Sequence, residues 1–307
     1  MEVKVPEKMD PALRAMKAIH TVASAGTSVS PEDLEKQRAG QDLFSTLVPT
    51  NVGVSTEKFV INEMKCEKYI PSYCYDHKHA ILYCHGGGYT CGSIKYASVL
   101  GSKLAFHTAM TTFSFEYGLA PENPYPKALE DALEAWDYVM KLGYGARDVL
   151  VAGDSAGGNL ALELCLTLRE QGRMLPKALI LMSPWTDMTT ESETYETCKK
   201  IDPMITKDYV QAVRGAYVGE NVDYSDPRFS PLFADFTDFP PTYIQVGTNE
   251  VLLGDSKHLA ERLKEANIPV KLDVYKRGWH VFQQMPVRKA ITAMNDVGQF
   301  TQKLLMR

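Results

Sequence analysis

Ser155 lies in Gly153-Asp154-Ser155-Ala156-Gly157, a Gly-x-Ser-x-Gly run. A serine on a sharp turn between a strand and a helix presents its hydroxyl for attack on a carbonyl carbon. The flanks fit that context. Apolar Val149–Ala152 precedes the run, and a helical stretch begins near Gly158-Asn159. Such a turn needs small neighbours, which Gly153, Ala156, Gly157 and Gly158 supply. A helix starting just beyond Ser155 also favours negative charge developing there. The glycines alone would equally suit a tightly packed turn, so the serine needs partners.

The second feature is His85-Gly86-Gly87-Gly88-Tyr89, after strand-like Ala80–Cys84. A carbonyl under attack becomes an oxyanion, and pre-aimed backbone N–H groups stabilise it. Glycines let that backbone come close. The expected donors are Gly87, Gly88 and Ala156, with Gly86 shaping the loop; losing one donor typically costs about 3–4 kcal/mol. A phosphate loop is the rival. The spacing G-x-x-x-x-G-K-[ST] is absent, and Gly86-x-Gly88-x-x-Cys91 breaks the dinucleotide fingerprint. His85 is expected to be structural.

A serine needs a base, and His258 and His280 are the histidines after Ser155. His258 lies in helix-like Ser256–Ala266, beside Leu259, as a helix-surface residue would. His280 follows strand-like Val270–Tyr275, in a loop where open parallel sheets place their sites. His280 is the expected base. The carboxylate that orients it is sought after Tyr243–Val246, where Glu250 and Asp255 compete. Glu250 is in the loop directly after the strand and is preferred. Asp255 stands where a helix N-cap is expected, yet stays open as the alternative.

These residues need elements to position them. Thr111–Phe115 and Leu179–Met182 complete the series of strand-like runs, and Glu57–Tyr75 reads as an edge hairpin. Helix-like stretches at Ala97–Phe106, Ala128–Leu142, Asn159–Gln171, Ser256–Ala266 and Val287–Leu305 alternate with the strands. Alternation of this kind predicts βαβ units and a parallel sheet buried on both faces. Between Trp185 and Phe239 only Thr206–Val218 is helix-like, too long a gap for an ordinary connection. Residues 1–50 are expected to hold helices, one starting near Pro11 and one capped by Ser30 with Pro31 and Asp33 behind it. The expected division is a helical N-terminal segment 1–50 and a catalytic domain 51–307, with an insertion at about 186–238. The two outlying pieces are expected to meet as a cap over the site.

With these motifs in place, the chain resembles the hormone-sensitive-lipase-like (family IV) esterases of the α/β-hydrolase superfamily. The resemblance spans about 80–282. It rests on His85–Tyr89, Gly153–Gly158, Glu116-Tyr117-Gly118-Leu119-Ala120-Pro121-Glu122, Ser183-Pro184-Trp185 and Gly278-Trp279-His280. It implies an α/β-hydrolase fold: a mostly parallel, eight-stranded sheet flanked by helices, under a helical cap. It implies hydrolysis of short-acyl carboxylic esters with no cofactor. Two positions depart from the family pattern, which has Asp at Glu250 and Arg at Gly118.

The chemistry expected is two-step acyl transfer, with Ser155 attacking and His280 moving the proton. Tyr89, Trp185, Leu252, Val281 and Phe282 are the candidate substrate-pocket residues. A deacetylase of acetylated sugars, a lactonase or a thioesterase would use the same site. A small-molecule receptor on this fold would be expected to lose the base or its carboxylate.

Bulk properties agree with a globular enzyme. The 307 residues are 45% hydrophobic and 23% charged, with net charge −5. A mildly acidic chain has no general attraction for nucleic acid. No stretch approaches the ~18 apolar residues of a membrane span, and Met1–Lys8 shows no secretory apolar region. The cysteines, Cys66, Cys74, Cys84, Cys91, Cys165 and Cys198, lack metal-ligand spacing. They read as reduced thiols of a cytoplasmic protein, with a Cys66–Cys74 disulfide as the alternative. The expected partners are a small ester and, at most, a second copy of the chain as a homodimer.

Overall fold

The computed structural model describes residues 28–48, 53–73 and 75–306. The helix start expected near Pro11 and the thiol of Cys74 lie outside them. The other five cysteines are buried and unbridged.

Eight strands form one sheet among the described residues: β1 (Val54–Ile61), β2 (Met64–Pro71), β3 (Asp76–Cys84), β4 (Met110–Phe115), β5 (Val149–Asp154), β6 (Ala178–Met182), β7 (Thr242–Gly247) and β8 (Val270–Tyr275). Their spatial order is β1-β2-β4-β3-β5-β6-β7-β8. β2 pairs antiparallel with β1 and with β4, and all other neighbours are parallel. The hairpin expected in 57–75 is therefore the sheet's antiparallel edge.

The central strands β4 to β7 are buried on both faces, and β5 and β6 carry the apolar runs such burial favours. Ala80, Leu82 and Cys84 of β3 join one core, while Ile81 and Tyr83 join the other. The first core holds α3 (Lys127–Lys141), α4 (Ala156–Glu170) and α7 (Leu253–Glu265). The second holds α2 (Ile94–Thr108) and α8 (Arg288–Leu305).

This topology opens a crevice. From β3 the chain crosses through α2 to β4 on one side; from β5 it crosses through α4 to β6 on the other. β3 and β5 are neighbours, so their following loops diverge at the carboxyl ends. Ligands bind at such a switch point.

The N-terminal segment contributes α1 (Pro31–Leu47). Ser30 caps it, accepting the Asp33 N–H at 3.2 Å, and Pro31 opens the helix. Between β6 and β7 the long insertion holds α5 (Thr194–Thr197) and α6 (Lys207–Val218). No helix among the described residues is long and apolar enough to cross a membrane.

Candidate active site

Every candidate group comes from a loop at the carboxyl end of a strand. Ser155 stands between β5 and α4 with φ +52° and ψ −122°, a conformation non-glycine residues seldom adopt. Hydrogen bonds hold the strained residue. Its N–H donates to Met182 O at 3.0 Å, and its own carbonyl accepts from Gly158 and Trp185, each at 3.0 Å. The turn also demands glycine at 157, where a Cβ would fall 2.1 Å from the Cys84 carbonyl oxygen.

Ser155 Oγ lies 2.9 Å from His280 Nε2, and His280 Nδ1 lies 3.2 Å from Glu250 Oε2. A carboxylate only accepts, so Nδ1 carries the imidazole proton and Nε2 is left to accept from the serine hydroxyl. Glu250 is fully buried and held on its other oxygen, Oε1. That oxygen accepts from Ser183 Oγ at 3.0 Å and from the Gly247 N–H. Ser183 Oγ in turn accepts the Val281 N–H at 3.2 Å, bracing the residue beside His280.

Asp255 is elsewhere. It is not the N-cap of its helix, a place Leu252 takes, but lies inside the first turn. Its Oδ2 accepts the N–H groups of Thr186 and Asp187 at 2.9 and 3.1 Å. Burial pushes its carboxyl well above the usual range, with the nearby Asp187 charge adding to the shift. Asp255 thus anchors the chain that leaves β6, while Glu250 faces the histidine.

Gly87 and Gly88 follow β3. Gly87 has φ +118°, and a Cβ there would sit 2.2 Å from Cys91 O, so the loop needs glycine. Neither Gly87 nor Gly88 donates its N–H to a protein group among the described residues. Ala156 is the first residue of α4, where an N–H has no acceptor within the helix. The Gly86 N–H is committed, donating to Asp154 Oδ1 at 2.9 Å.

His85 is buried and stacked on Tyr117, with centroids 4.2 Å apart. Its Nδ1 donates to Gly86 O at 2.8 Å, and burial pushes its pKa down to about 4. It is a neutral structural residue, as expected. His258 is exposed on α7.

The pocket above Ser155 encloses a free volume of ≈ 30 Å³. Trp185, Leu252 and Val281 line it, as the sequence led us to expect. Tyr89 and Phe282 do not. Tyr89 stacks on Tyr217 of α6 with centroids 3.7 Å apart, and its hydroxyl donates to Asn159 Oδ1 at 2.7 Å. Phe282 packs against Tyr275, Ala290 and Ala293 behind the base. Both are core residues, because an aromatic beside a motif can face either way along a loop.

Sequence reasoning missed much of the wall. Ile205, Tyr209, Val210 and Val213 come from the insertion, and Gln41 from α1. The spacing 209, 210, 213 marks one face of α6, which was a usable signal. Asp202 was also missed. It is an ordering residue: Oδ1 accepts from the Met204 and Ile205 N–H groups, and Oδ2 accepts the Val251 N–H at 2.8 Å. It thereby ties the pocket edge to the Glu250 loop, and burial pushes its pKa up to about 6. Gly118, where the resemblance implied Arg, donates its N–H to Asp131 Oδ2 at 2.8 Å, and Lys127 Nζ lies 2.5 Å from Asp131 Oδ1.

A family described as the alpha/beta hydrolase fold matches residues 81–284. This chain belongs to the α/β-hydrolase family. Within it the hydrolase groups with the hormone-sensitive-lipase-like esterases. The crystal structure of an esterase from the bacterial hormone-sensitive lipase family superposes with a TM-score of 0.86 at 30% identity, covering 96% of this chain and 99% of that one. An esterase from Acinetobacter venetianus is 36% identical over 226 residues, 73% of this hydrolase and 75% of the relative. An acetyl-hydrolase from Streptomyces hygroscopicus is 33% identical over 202 residues, 66% and 67% of the two chains.

Proposed function

We propose that this α/β-hydrolase is a carboxylesterase that cleaves short-chain acyl esters through an acyl-enzyme formed on Ser155. Carboxylic ester hydrolysis as a class rests on the family and on relatives named as an esterase and an acetyl-hydrolase. One observation carries the finer reading: the hydrogen-bonded line Ser155–His280–Glu250.

In the first step Ser155 Oγ attacks the ester carbonyl while His280 Nε2 takes the hydroxyl proton. Glu250 fixes the imidazole tautomer and stabilises the imidazolium without taking its proton. The oxyanion is met by the N–H groups of Gly87, Gly88 and Ala156, which the fold already aims at that position and which donate to no protein group among the described residues. His280 then protonates the departing alcohol oxygen, leaving an acyl group on Ser155. Water enters, gives a proton to His280, attacks the acyl carbon and releases the acid; Ser155 recovers its proton.

The short acyl preference rests on the pocket. A free volume of ≈ 30 Å³ walled by Trp185, Val210, Val213 and Leu252 suits an acetyl-sized group. α1 and the 186–238 insertion, both supplying wall residues, are read as the two parts of one cap.

The test is a series of p-nitrophenyl esters from acetate to decanoate, with Ser155→Ala beside wild type. The wild type should be fastest on the short members. The variant should fall by up to about a millionfold in kcat. Equal rates for the two proteins, or a preference for decanoate, would overturn the proposal.

A further inference from the structure

We propose that Gln41 reads a hydrogen-bonding group on the substrate, so that the preferred ester carries a hydroxyl or similar polar group next to its carboxyl function. The inference rests on the esterase reading of this site and narrows its substrate class to hydroxy esters, such as partial acetates of a polyol.

The buried face of α1 carries Leu34, Gln37, Gln41, Phe44 and Ser45. The two glutamines differ in what they meet. Gln37 uses both ends of its amide: Nε2 donates to Ser28 O at 3.1 Å, and Oε1 accepts the Cys91 thiol at 3.7 Å. Arg38, beside it, is equally committed, donating to Thr90 O and Ala120 O and pairing with Glu122 at 2.8 Å. These contacts suffice to dock the helix. Gln41 is 3% exposed and lines the pocket with Ser155 and His280, yet its Oε1 meets no partner among the described residues.

A second polar group on the wall is already engaged: Tyr96 accepts Gln284 Nε2 on its hydroxyl at 2.6 Å. Gln41 thus presents a neutral amide in the Ser155 pocket whose Oε1 has no partner among the described residues. A buried polar atom left unsatisfied is costly, and a ligand that satisfies it is favoured over an apolar isostere. An amide offers both an acceptor and donors, so a substrate hydroxyl suits it in either sense. Packing alone would be served as well by Leu or Met at this position.

The test uses two isosteric pairs. On the alcohol side these are 2-hydroxyethyl acetate and propyl acetate. On the acyl side they are ethyl hydroxyacetate and ethyl propanoate. The readout is the ratio of kcat/KM within each pair, on wild type, Gln41→Leu and Gln41→Met. A ratio from one preparation does not depend on the fraction folded. In both variants the hydroxyl-to-methyl ratio should fall about tenfold for at least one pair, chiefly through KM. The pair that responds says which side of the ester Gln41 touches. Ratios unchanged in both pairs, with all four esters still hydrolysed, overturn the role of Gln41 alone. Failure of the wild type to hydrolyse any of the four overturns the esterase reading beneath it.

Discussion

Asp154 holds Gly86: its Oδ1 accepts the Gly86 N–H at 2.9 Å and, on the same oxygen, the Tyr83 hydroxyl at 2.6 Å. Asp154 precedes Ser155, and Gly86 precedes the Gly87-Gly88 pair. One carboxylate therefore sets the distance between the serine turn and the glycine loop. It lies at the variable second position of the Gly-x-Ser-x-Gly run, where the pattern itself asks for nothing.

Replacing Asp154 separates hydrogen bonding from charge. Asp154→Asn keeps an oxygen for Gly86 and Tyr83 and should stay within about tenfold of wild type in kcat on p-nitrophenyl acetate. Asp154→Ala frees the loop and should lose about 100-fold, the scale of a small misplacement of catalytic groups. Equal kcat for the alanine variant and wild type would show that the glycine loop does not depend on this anchor.

The same residue predicts a pH dependence of stability. Burial pushes the Asp154 pKa up from 3.8 to about 6, against its hydrogen bonds from Tyr83 and Gly86. The folded state then holds this proton where the unfolded chain has lost it, so stability falls as pH rises from about 4 to about 6. At about 1.4 kcal/mol per pKa unit, the cost at neutral pH reaches about 3 kcal/mol. Asp202, Asp255 and Glu163 shift in the same direction, so wild type alone does not isolate the effect. The difference between Asp154→Asn and wild type does. In urea unfolding, the variant should gain on wild type between pH 4 and 7, and a constant difference would remove the linkage.

Glu250 and Asp255 should part company when each is changed to its amide. Glu250→Gln leaves His280 facing a group that no longer stabilises imidazolium, and kcat should drop by about 10³ to 10⁴. Asp255→Asn should lower the melting temperature, since Thr186 and Asp187 lean on that carboxylate, while kcat stays within about tenfold. A severe loss in the Asp255 variant, with a mild one in the Glu250 variant, would assign the acid the other way.

How much was readable beforehand follows from what local sequence encodes. β5 and β6 announce themselves because burial on both faces demands unbroken apolar runs such as Val149–Ala152, whereas β8, half-exposed, shows only alternation. Ser155 stood out as a candidate because it lies just past such a run, and His280 because it follows the end of β8, each two residues after a glycine. The pocket wall was legible only in part, at Trp185, Leu252 and Val281. Tyr89 and Phe282 carry the right chemistry next to the right motifs, but Tyr217 and Ala290 draw them into the core. Gln41 sits on an apolar-face position of α1 and looks like any helix glutamine until the fold sets it beside Ser155. Ile205 reaches the site from a segment without strand or helix rhythm over most of its length. Contacts of that kind are made by tertiary packing alone.

The most direct measurement is the covalent intermediate itself. Wild type would be mixed with p-nitrophenyl acetate, quenched in acid before turnover is complete and mapped by peptide mass spectrometry, with Ser155→Ala and His280→Ala as controls. The account predicts one added acetyl group, on Ser155, and none at any residue of the Ser155→Ala protein. An acetyl group found stably on another side chain, or turnover by Ser155→Ala at the wild-type rate, would contradict it.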